Sequence, residues 1–347
     1  MNAYTALALQ TRCDAINGCA SVQAARSAMA TAIARIRAQI RSSRAFIGPE
    51  LKLVVLPEYV LTGFPMGESI PAWAERAALA VDGPEYAALG EICRESSVYL
   101  AGNAYERDSS FPELYFQTSF VIDQNGVVVL RYRRLNSLYG PTPHDVWDKY
   151  LERYGLDGVF PVADTPLGRL ACVASEEILY PEISRAFAVR GAEVLLHSTS
   201  EAGSTRLTPK EIARRARAYE NSVYVISANT AGIHGVDLPA QSTDGLSKVV
   251  DFLGEVRAEA GFGESMVAHA TIDVAALRRH RLTPGMANML SRQRFECFRD
   301  LYSGSLYPAN SLIGADGSPQ VPDRAHFRDG QRAAIETLLA RGILRLD

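Results

Sequence analysis

The chain repeats itself once, and that repeat limits what it can fold into. Glu95-Ser96-Ser97-Val98-Tyr99-Leu100, followed by Asn103, matches Glu220-Asn221-Ser222-Val223-Tyr224-Val225, followed by Asn229. Each copy follows a segment of helical character, residues 85–94 in one half and 209–219 in the other. Each of those segments in turn follows an apolar run, 51–56 and 192–197. A hairpin pattern comes next in both halves. Runs 116–123 and 127–133 flank Asn125-Gly126, a strong two-residue turn signal, and runs 246–252 and 256–260 flank Gly254. Two β-α-β-hairpin halves imply two similar mixed sheets. Strands that are apolar on both sides need cover on both sides, so the sheets are expected to stack with helices outside them. The predicted fold is α/β, a four-layer α-β-β-α sandwich of two mixed sheets. A helix over 22–43 fits this, with Ala24, Ala28, Ile33, Ile36 and Ile40 forming one apolar stripe.

The first apolar run delivers a carboxylate. Leu53-Val54-Val55-Leu56 has no polar face and reads as an interior strand. Pro57 cannot donate to a ladder and ends it, and Gly63 and Pro65 mark an irregular loop. Glu58 therefore sits where a buried strand opens into a loop, the place where α/β proteins put chemistry.

Composition excludes several partners. With 47% hydrophobic and 22% charged residues the chain is an ordinary globular protein. A net charge of −3 argues against nucleic acid or an anionic membrane surface. The five cysteines, Cys13, Cys19, Cys93, Cys172 and Cys297, are odd in number and scattered, with no metal-ligand spacing. Neither a disulfide framework nor a metal or cofactor is expected, and a reducing cytoplasm fits the cysteine usage. No run reaches membrane-spanning length. Gly261-Phe262-Gly263 lacks the strand-turn-helix setting of a dinucleotide site, and GxSxG, HExxH and P-loop patterns are absent.

Three segments carry the candidate chemistry. Besides Glu58 they are Arg131-Tyr132-Arg133-Arg134, closing the first hairpin, and RLACVASEEILYPE from Arg169 to Glu182. The latter is an apolar strand, a polar elbow at Ser175-Glu176-Glu177, and a helix entered near Pro181. With LPEYVLTG, TSFVIDQNGVVVLRYRR, YPEISRAFAVRGAEVLL and RARAYENSVYVISANTAG in that order, the chain resembles the nitrilase superfamily of carbon–nitrogen hydrolases from about residue 4 to 280. The resemblance implies the same sandwich, a dimer formed through the active-site face, and a glutamate base, a lysine and a cysteine nucleophile. Glu58 matches the glutamate. The lysine position falls on Arg134 and the cysteine position, six residues before Pro181, falls on Ser175.

These two departures change the chemistry. A thiol has a pKa of about 8.5 and can be poised as a thiolate, whereas a hydroxyl must lose its proton as it attacks. Arg134 can brace an oxyanion or grip a carboxylate with two prongs, but it cannot transfer a proton. Two readings stay open: a hydrolase of a C–N or related acyl bond with Ser175 as nucleophile or substrate ligand, and a non-catalytic binder of a small carboxylate or amide. Tyr59, Glu176 and His197 are the candidate substrate-binding residues. His197 is placed as the counterpart of Glu58 in the second half, and the backbone N–H of Glu176 falls where the family builds its oxyanion hole.

Cys172, three residues before Ser175, is expected on the opposite face of its strand, in the core. Trp147, Tyr150 and Tyr154 share one helical face and are read as a pocket lid or a dimer contact. Asp145, Asp148 and Glu152 are candidates for a further acid. Residues 1–281 are assigned to the hydrolase-like domain. Residues 282–347, with Met286, Met289, Phe295 and Phe298 among polar residues and a final helix near 330–341, are assigned to an extension acting as an oligomerisation arm. The expected partners are a small molecule and a second copy of the chain.

Overall fold

A computed structural model of the chain describes residues 3–204 and 206–346. Its two six-stranded sheets are built in the same way. In the first, β1 (Tyr4–Ala8), β2 (Leu51–Val55) and β3 (Tyr99–Arg107) run parallel, and β4 (Tyr115–Ile122) and β5 (Val128–Arg133) continue as an antiparallel hairpin. In the second, β7 (Gly168–Ala174), β8 (Val194–Ser198) and β9 (Tyr224–Ala228) are parallel, with the hairpin β10 (Lys248–Val250) and β11 (Val256–Glu259) beside them. β6 (Ala163–Thr165) closes the far edge of the second sheet and β12 (His269–Ile272) that of the first, both antiparallel. The strand orders are β12-β1-β2-β3-β4-β5 and β6-β7-β8-β9-β10-β11. Position by position, the sequence repeat is thus a repeat of topology.

Alternation along the strands sets the layers. Leu53, Val55, Tyr99 and Ala101 point into the space between the sheets and join the core of β7, β8 and β9. Val54 and Leu100 point the other way, into the layer formed by helices α1 (Val22–Ile47), α2 (Ile70–Ala77) and α3 (Pro84–Ser96). On the outer side of the second sheet lie α5 (Pro181–Val189) and α6 (Pro209–Asn221). The four-layer sandwich expected from the sequence is the fold found. α1 starts at Ser21, whose hydroxyl caps the N–H of Ala24. Its buried stripe is Ala25, Met29, Ala32, Ile33, Ile36 and Ile40, with Ala24 and Ala28 half-buried at its margin.

Register corrects one expected equivalence. Leu53, Val54 and Val55 pair with Tyr99, Leu100 and Ala101, while Val194, Leu195 and Leu196 pair with Tyr224, Val225 and Ile226. Aligning the two tyrosines makes His197 the counterpart of Leu56, and Thr199 the counterpart of Glu58. A displacement of two residues keeps the same face of the strand but sets His197 one pleat further back, in the interior rather than at the mouth of the sheet.

Residues 311–327 pack back onto the rest of the chain. Leu312 N–H donates to the carbonyl of Asp145 at 2.9 Å and Ser311 Oγ to Asp145 Oδ1 at 2.7 Å. Leu312 and Phe327 are buried, while Phe295, Phe298, Leu301 and Tyr302 are exposed.

Candidate functional site

Glu58 leaves β2 after Pro57 and is buried. Burying a carboxylate is costly unless it is hydrogen-bonded and paired, and here both conditions hold. Gln117 Nε2 donates to Glu58 Oε1 at 2.7 Å and Arg134 Nη1 does so at 3.3 Å. The turn is held open by Tyr59, whose φ of 36° lies in the left-handed region. Thr62 and Gly63 donate to its carbonyl at 3.0 and 2.9 Å.

Ser175 terminates β7 and has a φ of 47°. A non-glycine residue there costs on the order of 1–3 kcal/mol and persists only where its surroundings over-determine it. They do so from two sides. His197 Nε2 lies 2.8 Å from the carbonyl of Ser175 and Nδ1 lies 2.8 Å from Ser227 Oγ. A carbonyl only accepts, so the proton is on Nε2 and Nδ1 accepts from Ser227. Burial, aided by Arg214, holds the His197 imidazole well below its usual range and keeps it neutral. On the other side, the buried Glu177 accepts from the N–H of Ala174 at 3.3 Å, Leu135 at 2.7 Å and Asn136 at 3.0 Å, and from Tyr132 Oη at 2.8 Å. Burial pushes this carboxyl up to about 7 against those donors and Arg134. The pair Glu176-Glu177 is therefore divided: Glu177 ties the elbow to the end of β5, and Glu176 faces the cavity.

Arg134 joins the two parts. Its guanidinium reaches Glu58, donates to Gln117 Oε1 at 2.7 Å, and pairs with Glu176 through Nη2, while Nε holds the carbonyl of Asn136 at 2.5 Å. Burial alone would lower its pKa, but Glu58, Glu176 and Glu177 outweigh that and keep it charged. Arg133, one residue earlier, points to the opposite face and pairs with Asp108 at 2.5 Å.

A residue that sequence reasoning did not single out completes the site. Lys210 Nζ lies 3.2 Å from Ser175 Oγ and 3.2 Å from Thr199 Oγ1. It enters on the first turn of α6, after Pro209 and the Thr208 cap, where a helix dipole disfavours a cation. In the repeat, Pro84-Glu85 occupies the position of Pro209-Lys210. A lysine in an acid's place at a helix start is a local rule broken, and that signal was legible in the sequence. Burial lowers the Lys210 amine, with Glu58 and Glu201 opposing and Arg214 and Arg134 assisting.

Glu58, Arg134, Ser175, Tyr59, Glu176 and Lys210 line one cavity of about 300 Å³. Its outer wall is Phe64, Tyr115 and the loop 137–141. His197 does not line it, being fully buried behind the elbow. The expected lid is also displaced. Tyr150 and Tyr154 of α4 (Trp147–Val159) stack over the guanidinium of Arg133 at 5.5 and 4.6 Å, because α4 packs against β5 rather than over its end. Trp147 and Asp145 face a neighbouring cavity of about 650 Å³. Of the three proposed acids, none lines the smaller cavity; Asp145 caps its own turn through the N–H and hydroxyl of Thr142 at 2.8 and 2.7 Å. Cys172 is buried in the core between the layers, and burial raises its thiol far above the ordinary range. Among the described residues, no cluster of three or more histidine, cysteine or acidic side chains is placed to hold a metal, and no helix is long and apolar enough to cross a membrane.

Comparison with known proteins bears on the family and the fold. The pattern of the carbon-nitrogen hydrolase family matches residues 18–281. A formamidase from Bacillus cereus (strain AH820) is 33% identical over 191 residues, 54% of this chain and 53% of that protein. A formamidase from Bacillus anthracis gives the same figures. The match spans about half the length of these curated relatives. Among solved structures, a carbon-nitrogen hydrolase from Helicobacter pylori superposes with a TM-score of 0.64 at 20% identity, covering 87% of this chain and 99% of that one. Nit3 of Saccharomyces cerevisiae, of branch 10 of the nitrilase superfamily, gives 0.61 at 19% identity, covering 81% and 96%. A variant of the amidase from Nesterenkonia sp. AN1 in complex with acrylamide gives 0.59 at 22%, covering 86% and 97%. These structural likenesses establish the shared fold. The family pattern covers most of the chain, and the chain belongs to the carbon-nitrogen hydrolase family.

Proposed function

We propose that this protein hydrolyses a C–N bond of a small amide, carbamoyl compound or nitrile, or a related acyl bond, at a site built from Glu58, Arg134 and Ser175. The observation that carries the reading is the convergence of an acid, a guanidinium and a hydroxyl from three distant segments on one small cavity. Ser175 is the nucleophile, Glu58 the acid–base group, and Arg134 the fixed positive charge for a developing oxyanion. Tyr59 and Glu176 contact the substrate. A cavity of about 300 Å³ suits a compact acyl group, in keeping with relatives named formamidase and amidase. Incubation with amides, carbamoyl amino acids, nitriles and esters, followed by intact-mass analysis, tests this. An acyl adduct on Ser175 that vanishes in Glu58→Gln is expected; turnover with no dependence on Ser175 would overturn it.

One observation favours a second reading, a non-catalytic binder of a small carboxylate or amide. Arg134 already grips two carboxylates, Glu58 and Glu176, and a ligand carboxylate can displace the more exposed Glu176. Ligand binding that requires Arg134, with no turnover across the panel, is the outcome this reading expects.

We further propose a homodimer in a reducing cytoplasm, with residues 282–347 acting as the oligomerisation arm of the domain formed by 1–281. The exposed row Phe295, Phe298, Leu301 and Tyr302 beside α5 supports the arm. The free cysteines, four of them buried or half-buried, support the compartment.

A further inference from the structure

We infer that Lys210 is the general base for Ser175, so that the reacting pair is a serine and a neutral lysine rather than a serine and Glu58. This rests on Ser175 being the nucleophile, as proposed above, and departs from that reading in one respect. The acid–base role moves from Glu58 to Lys210, and Glu58 positions Arg134, so that loss of the adduct in Glu58→Gln fits both assignments.

The geometry separates the two candidate bases. Lys210 Nζ is within hydrogen-bond reach of Ser175 Oγ, at 3.2 Å, the first requirement for a group that takes its proton. Glu58 Oε1 is occupied by Gln117 Nε2 and Arg134 Nη1. A carboxylate is also much too weak a base for an alcohol, whereas an amine stripped of its proton is far closer in strength. The surroundings favour that stripped form. Lys210 is half-buried, on the first turn of a thirteen-residue helix, at the positive end of its dipole. The charged groups facing it are Glu58, Arg134, Glu201 and Arg214, with neutral His197 behind the elbow. Of the two acids, Glu201 is 3.8 Å away, beyond a hydrogen bond, and its other oxygen is taken by Arg214. The amine's hydrogen bonds thus go to two hydroxyls, Ser175 and Thr199, and its ion pair with Glu201 is a long one.

The steps balance. Lys210 Nζ accepts the Ser175 Oγ proton as Oγ bonds to the acyl carbon, and the carbonyl π pair moves onto oxygen beside Arg134. When the carbonyl reforms, the C–N bond breaks and the leaving nitrogen takes the proton from the Lys210 ammonium. Water then adds to the acyl ester in the same way, Lys210 taking its proton and returning it to Ser175 Oγ. The sum is amide plus water giving acid plus amine, with Lys210 unchanged.

The test is the second-order rate of acylation of the full chain by p-nitrophenyl acetate, with the adduct located by mass, from pH 6 to 10. In wild type the rate on Ser175 should rise through one ionisation. Lys210→Met should lower it at least about 100-fold, the low end of general-base contributions, and abolish that rise. Lys210→Arg, which keeps a charge but cannot lose its proton, should be equally slow. Glu201→Gln, which removes a charge that favours the ammonium, should move the rise to lower pH without abolishing it. If Lys210→Met unfolds, Lys210→Arg and the shift in Glu201→Gln decide the matter. A Ser175 adduct whose rate and pH profile are unchanged in the Lys210 variants overturns the assignment and leaves Ser175 as nucleophile. No adduct on Ser175 at any pH overturns the nucleophile itself.

Discussion

The amide N–H of Glu58 donates to the carbonyl of Thr199 at 3.3 Å. These residues hold matching places in the two halves, so the repeat meets itself at the site. One half presents a carboxylate there. The other presents a hydroxyl, which accepts from Lys210 at 3.2 Å. The acid of the first half and the amine of the second thereby end up in one cavity.

Removing the guanidinium should strand a buried charge. Arg134→Met is expected to destabilise the fold by about 3–5 kcal/mol, because Glu58 is left without its cation. Adding Glu58→Gln should recover much of that loss. Urea unfolding of the two single variants and the double variant measures the coupling; additive effects would show that the pair does not hold the loops together.

Restoring the family's usual groups should reveal what the scaffold can still do. Ser175→Cys with Arg134→Lys is expected to hydrolyse simple aliphatic amides at least about tenfold faster than the native chain, since a thiolate needs no proton removed during attack. Ammonia release from formamide and acetamide is the assay. A folded double variant with no gain would mean that the cavity no longer admits an amide in a reactive pose.

The elbow should make the fold sensitive to acid. His197 is held neutral by burial, whereas in the unfolded chain it titrates near 6.5. Above that pH neither state binds the proton and His197 contributes nothing to the pH dependence. Below it the unfolded state gains a proton that the native state refuses, so stability falls as pH drops, by at most about 1.4 kcal/mol per unit. His197→Gln keeps a donor for the Ser175 carbonyl and an acceptor for Ser227. Its urea midpoint should decline less steeply than wild type between pH 6.5 and 5; equal slopes would contradict the assignment.

If the extension is an oligomerisation arm, charge on its apolar row should dissociate it. Leu301 is 79% exposed and Phe298 47%, so Phe298→Glu with Leu301→Glu should leave the folded subunit intact. Light scattering should give the mass of two chains for wild type and of one for the variant. Unchanged masses would place the contact elsewhere.

The architecture was legible because a repeat of pattern is a repeat of topology, and Glu58, Arg134 and Ser175 stood at the ends of recognisable strands. Register was harder to read. A displacement of two residues separates His197 from Thr199, and composition carries no information about which of them ends a ladder. The aromatic face of α4 was correctly seen as a face, but its target, Arg133, depends on how a helix crosses a hairpin. Lys210 was overlooked because a single lysine in a basic, helical stretch reads as solvated surface. Its place at a helix start, where the first half has an acid, was the one signal against that reading.

Arg134 touches the loop after β2, the hairpin and the elbow at once, so the groups assigned to chemistry also clamp one sheet to the other. Substrate entry must then loosen a fastening of the sandwich itself. Turnover and rigidity compete for the same guanidinium, and variants selected for faster catalysis at this site should tend to be more easily melted.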